Sequence, residues 1–190
     1  VFYSIMGWFP AFMITKGATP TLGALITSTM IWVGLPASLL LPSLSDRVGV
    51  RKPFYWVAAL AYAGLCYLLI ITPWQLDWYL AAVLGVTLNS AWILCFVLPL
   101  DLAEGRSVGL ASGIVLSIGY AGGLLGPWIS GFILDLSSFA SAMYFLVIVS
   151  VVSAAVCYFG IPETGSKGRA RRENPARPKH RLVLLQDSTI

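Results

Sequence analysis

Charge is what this sequence has least of. Of its 190 residues, 11% are Asp, Glu, Lys or Arg and one is histidine, where a soluble domain carries roughly 25% charged residues. No charged residue occurs from Gly17 to Ser45, or from Pro53 to Leu76. Hydrophobic residues make up 58% and the mean hydropathy is +0.83, which excludes an ordinary water-soluble domain. Period-2 alternation is also missing, so the apolar runs do not suit strands of a membrane barrel.

Other absences narrow the function. The cysteines are Cys66, Cys95 and Cys157, each inside an apolar run and without motif spacing, so neither a disulfide framework nor a metal site is indicated. They suit packing, where a free thiol acts as a small hydrophobe. No apolar run holds a Ser/His/Asp arrangement, a metal-ligand cluster or a phosphate-cradling loop, which argues against an enzyme and implies no cofactor or metal. The chain opens at Val1 within an apolar run, with no basic leader. The reading is a fragment.

Six apolar segments can be counted, at 1–14, 21–44, 54–72, 78–100, 108–134 and 139–161. All but the first reach the roughly 17 to 25 residues that a membrane-spanning helix needs. Links after the second, fourth and sixth segments hold Arg47, Arg51, Lys52, Arg106 and the cations of the tail, whereas the other side holds only Lys16. The excess of cations predicts a cytoplasmic side there, with Trp74, Trp78 and Tyr79 in an outer interfacial belt. Net charge is +4, but on links and a tail it reports orientation and not a nucleic-acid partner. Pro36, Pro42 and Pro99 are expected to kink or end their helices. Segment 162–190, with Lys167, Arg169, Arg171 and Arg172 among its cations and His180 near its middle, reads as a disordered cytoplasmic tail attracted to lipid headgroups.

The densest charge in the first hundred residues lies between Pro42 and Pro53, read as a cytoplasmic turn. Its Asp46-Arg47-x-Gly49-x-Arg51-Lys52 resembles the loop signature that joins the second and third helices of a half in major facilitator superfamily transporters. Pro42 stands where that signature most often begins with Gly. Gly113, Gly122, Gly126-Pro127 and Ser130-Gly131 resemble the Gly-Pro helix pattern of facilitator antiporters, Ser130 replacing one Gly. Gly122-x-x-x-Gly126 would also let another helix approach closely. Pro162-Glu163-Thr164-Gly165, and Leu98-Pro99-Leu100-Asp101 with Leu110-Ala111-Ser112-Gly113, look like a second half. Phe2-Tyr3-Ser4, Gly7-Trp8-Phe9-Pro10 and Gly34-Leu35-Pro36 are similar to the cyanate permease-like branch.

The resemblance implies an all-α integral membrane fold, with six transmembrane helices forming the C-terminal half of a transporter, helices seven to twelve. Its partners would be a small-molecule substrate, membrane lipids and the missing six-helix half, in a multi-pass protein of the cell membrane. The first, second, fourth and fifth segments would face the cavity between halves, and the third and sixth would face lipid. Asn89, Tyr3, Trp8 and Tyr120 are the candidate substrate contacts. Asn89 could equally serve an interhelical hydrogen bond, and the aromatic residues could equally pack against lipid or core. Asp46, Arg47, Gly49, Arg51 and Lys52 would gate, or else only fix orientation. No ionisable residue other than Cys or Tyr is expected in a span, so coupling charges would come from the missing half. The functional reading is secondary transport of a small organic or anionic solute by alternating access. A proton-driven drug antiporter and a non-transporting membrane assembly or sensor module are the alternatives.

Overall fold

The computed structural model describes residues 1–102 and 107–162, and among these the only regular structure is helical. Six helices follow in order: α1 (Phe2–Thr15), α2 (Pro20–Val48), α3 (Lys52–Ile71), α4 (Asp77–Leu102), α5 (Ser107–Leu136) and α6 (Phe139–Gly160). Five of them, α2 to α6, are long and apolar enough to cross a membrane. Helix α1 has 14 residues, about 21 Å at 1.5 Å per residue, less than a hydrocarbon core of about 30 Å. Arg106 and the segment from Glu163 onward, including the expected tail, lie outside the described residues.

Local chemistry sets the helix ends. Thr19 caps α2 by accepting from the Leu22 N–H at 3.3 Å, with Pro20 in the first turn, where a missing N–H costs nothing. Ser138 caps α6 in the same way through the Ser141 N–H.

The stretch from Pro42 to Pro53, expected as a turn, is mostly helix. Helix α2 continues through Pro42, Asp46 and Arg47 to Val48, and α3 restarts at Lys52. Only Gly49, Val50 and Arg51 link them. Gly49 ends α2 at φ 76°, a left-handed conformation that a side chain would disfavour, and its N–H meets the Ser45 and Asp46 carbonyls. The buried Ser45 hydroxyl then donates to the Val50 carbonyl at 2.8 Å. Pro36 and Pro42 lie inside α2 without ending it.

The core is drawn from α1, α2, α3, α4 and α6, with Ile5, Phe9, Met30, Cys66, Leu84 and Met143 among its most buried members. Helix α5 contributes only Ser130 to the fully buried residues among those described. Helix α2 packs mainly on α4, α3 on α6 and α4, and α1 on α2 and α5. Cys66 and Cys157 are buried, as packing residues should be, whereas Cys95 is exposed.

Candidate functional site

Two glycine contacts decide how α1, α2, α4 and α5 meet. At the α2–α4 crossing a Cβ on Gly85 would stand 2.2 Å from the Met30 carbonyl oxygen, and one on Gly34 would stand 2.1 Å from Asn89 Nδ2. Neither position has room for a side chain. At the α1–α5 contact, Cβ atoms on Gly123, Gly126 and Gly131 would lie 2.6 Å from the Tyr3 ring, 2.7 Å from Ser4 Oγ and 2.8 Å from the Trp8 ring. Each of these glycines receives one α1 side chain, at successive turns. The expected packing role of Gly113 and Gly122 needs correction: a Cβ at either would meet nothing within 4 Å. Gly123, one residue round the helix from Gly122, is the one that faces α1.

This close approach holds the aromatic side chains of α1. Trp8 donates its indole N–H to the Pro127 carbonyl, four residues beyond Gly123, at 3.0 Å. Tyr3 meets Trp92 edge-on at 5.7 Å between ring centroids and stands 6.4 Å from Tyr120. Phe2 and Phe96 complete the group, at 5.2 and 4.8 Å from Trp92. Tyr3 is 36% exposed and Tyr120 56%, so the cluster is open along one side.

A cavity of about 410 Å³ lies against this cluster between α1, α4, α5 and α6, lined by Tyr3, Ser4, Trp92, Gly119 and Gly122 among others. Its size falls within the range of about 300–1,000 Å³ usual for small-molecule sites. Ser4 Oγ, on its wall, is buried and without a hydrogen-bond partner. A second cavity of about 160 Å³ lies behind Phe2 and Trp92, with Tyr55, Tyr62 and Cys95 among its lining residues. Neither lining contains a charged side chain.

The structure thus gathers Tyr3 and Tyr120, seats Trp8 on the neighbouring turn, and places Asn89 differently. The Asn89 amide donates to the Gly85 carbonyl of its own helix at 2.9 Å and lies against Gly34, one turn from Trp92 on α4. Trp92 and Phe96 were not singled out by sequence, and Phe2 and Ser4 only as part of the Phe2-Tyr3-Ser4 motif. Trp92 sits between Ala91 and Ile93 in a largely apolar run, and no spacing distinguishes it.

At the Gly49 link, Asp46 Oδ1 pairs with Arg51 Nη2 at 2.8 Å, with 55% of the Asp46 side chain exposed. Lys52 Nζ lies 5.3 Å from the centroid of the Tyr158 ring. Asp46, Arg47 and Lys52 are therefore helical residues, with Gly49 and Arg51 in the link itself.

The expectation of uncharged spans fails at α4, which opens with Asp77, fully buried. Its Oδ2 pairs with Lys16 Nζ at 2.5 Å. The sequence placed Asp77 just before a span and Lys16 in a link 61 residues away, and nothing in the spacing joins them.

Six apolar helices, five of them long and apolar enough to cross a membrane, packed through glycine contacts, are the architecture of a multi-pass membrane protein. The sequence profile of the Major Facilitator Superfamily matches residues 1–188. The chain belongs to that superfamily. It is similar to the cyanate transport protein of Escherichia coli (strain K12), 29% identical over 135 residues, covering 70% of this chain and 35% of that protein. An uncharacterized transporter of Bacillus subtilis (strain 168) is 27% identical over 143 residues, 71% of this chain and 34% of the relative. The 2-nitroimidazole transporter of Escherichia coli (strain K12) is 26% identical over 165 residues, 85% and 40% respectively. The chain spans about a third to two-fifths of the length of these relatives.

Proposed function

We propose that these helices form the C-terminal half of a secondary transporter that carries a small organic or anionic solute by alternating access. The observation that carries this reading is the cavity lined by Tyr3, Ser4 and Trp92, without a charged side chain and with an unpartnered Ser4 hydroxyl on its wall, beside which Tyr120 stands 6.4 Å from Tyr3. Aromatic faces and one or two hydroxyls suit a small planar solute with acceptor atoms. Superfamily transporters place the substrate between two halves that rock about it. The negative charge of an anion would then be met by the other half, since this lining offers none.

Tyr3 and Tyr120 contact the solute in this reading, Trp8 holds α1 on α5, and Asn89 shapes the cavity wall through the α2–α4 contact. The names of the relatives supply the first solutes to test, cyanate and 2-nitroimidazole. In proteoliposomes holding the protein, Tyr3→Ala and Tyr120→Ala should each lower uptake at least tenfold, and Asn89→Ala should lower it less. Uptake unchanged in both tyrosine variants would move the site elsewhere. Outward rather than inward movement of solute, driven by a proton gradient, would favour the drug-antiporter alternative, which the Gly126-Pro127 pattern supports.

The protein lies in the cell membrane with the Gly49 link and the tail from Glu163 in the cytoplasm, as the cation excess on that side supports. Cysteines introduced at the exposed positions Val48 and Ser137 should label from the cytoplasm and from outside, respectively. Labelling of both from one side would overturn this topology.

A further inference from the structure

At the end of the bundle away from Gly49, Lys16 closes α1 as its C-cap residue and turns its side chain inward, to 13% exposure. The ammonium meets three partners of different kinds. It pairs with Asp77 Oδ2, donates to the Leu69 carbonyl at 2.7 Å, and lies 5.2 Å from the centroid of the Phe12 ring. The second Asp77 oxygen has the Thr72 hydroxyl at 2.9 Å.

The Leu69 carbonyl is a special acceptor. In a continuing helix it would accept from the residue four positions on, but that residue is Pro73, which has no N–H. It is also among the last carbonyls of α3, where the helix dipole favours a cation. A carboxylate, a main-chain carbonyl and an aromatic face are groups that hold a small monovalent cation. All three converge on the Lys16 ammonium, while the Thr72 hydroxyl holds the second Asp77 oxygen.

We propose that this end of the bundle is a monovalent-cation site whose occupant is the chain's own Lys16 ammonium, and that without Lys16 the site takes ammonium or an alkali ion. The tethered ion balances the buried Asp77 carboxylate without drawing an ion from solution. It also fastens the end of α1, the helix that carries Tyr3 and Trp8, to α3 and α4. The inference rests on this cluster alone and not on the transport reading.

The test is thermal unfolding of the protein in lipid nanodiscs, comparing ammonium, methylammonium and sodium chloride with choline chloride at equal ionic strength. Lys16→Ala should unfold at a lower temperature than the wild type. Ammonium, methylammonium or sodium should then raise that temperature saturably, by about 2–4 °C or more. Choline should not, and the wild type should show no such response. Lys16→Ala combined with Asp77→Asn should lose the response. No ion-specific shift in Lys16→Ala, or a shift that survives loss of Asp77, overturns the proposal. Should Lys16→Ala fail to insert, Lys16→Gln carries the same test, since it keeps a donor for Leu69 and leaves Asp77 uncompensated. Failure of both single variants with normal insertion of Lys16→Met/Asp77→Leu would support a required cation beside Asp77. Failure of all three would overturn it by making the position one of shape alone.

Discussion

Asp77 and Asp46 each meet a cation at one end of the same bundle, but Asp77 is fully buried and 55% of the Asp46 side chain is exposed. The Asp46–Arg51 pair closes a link of a few residues, so both partners are near each other in any chain that makes the turn. The Lys16–Asp77 pair joins α1 to α4 across 61 residues, and only the packed bundle brings it together. Exposed pairs gain little, because water screens the attraction and two long side chains must be held still. Buried pairs are different: the charges have left water, and removing one leaves the other uncompensated. The two ends of the bundle are therefore held differently. The exposed pair can separate and re-form at small cost, while the buried pair ties α1, α3 and α4 together.

The sharpest way to break this comparison is to remove one buried charge. Asp77→Ala should destabilise the protein by about 3–5 kcal/mol, since the Lys16 ammonium is left in an apolar slot. Lys16→Met/Asp77→Leu should recover most of that loss, both measured by thermal or denaturant unfolding in nanodiscs. A loss for Asp77→Ala no larger than for Asp46→Ala would erase the distinction between the ends.

The crossing between the two ends is the next point of pressure. Gly85→Ala puts a methyl group against the Met30 carbonyl and should cost about 1–3 kcal/mol, because two helix backbones must part. A smaller loss would mean that α2 and α4 can slide, and that the buried pair alone holds the body together.

At the exposed end, Asp46→Asn should cost only about 0.2–1 kcal/mol of stability. It should nevertheless slow uptake and increase cysteine labelling at Val48, if the Asp46–Arg51 pair biases the closed state of the cytoplasmic side. Unchanged uptake and labelling would leave the pair with an orienting role only.

The smallest effect is expected on α5. Gly122→Ala should change stability by no more than about 0.5 kcal/mol, since it meets open space. Gly123→Ala, forced into the Tyr3 ring, should cost more. Equal effects would place α1 against a different face of α5.

Much of this was legible in the residues. Charge-free runs specify six apolar helices, the number found among the described residues, because lipid requires each span to satisfy its own backbone. The Asp46 to Lys52 signature and the Gly-Pro helix point to the superfamily, and the sequence profile bears this out. The exact helix ends were not legible: α2 runs on through Asp46 because Gly49, four residues past Ser45, supplies the left-handed cap. Among identical-looking apolar residues, periodicity could not show that Trp92 meets Tyr3, or that Gly34 and Gly85 rather than Gly113 and Gly122 carry a close crossing.

The sequence by itself determined the solvent of this protein, the number of its helices and its family, since those follow from composition along a single chain. The tertiary structure alone decided which residues share a cavity and which charge is buried. Tyr3 and Tyr120, and Lys16 and Asp77, lie far apart in the chain, and only the packing of whole helices brings each pair within reach.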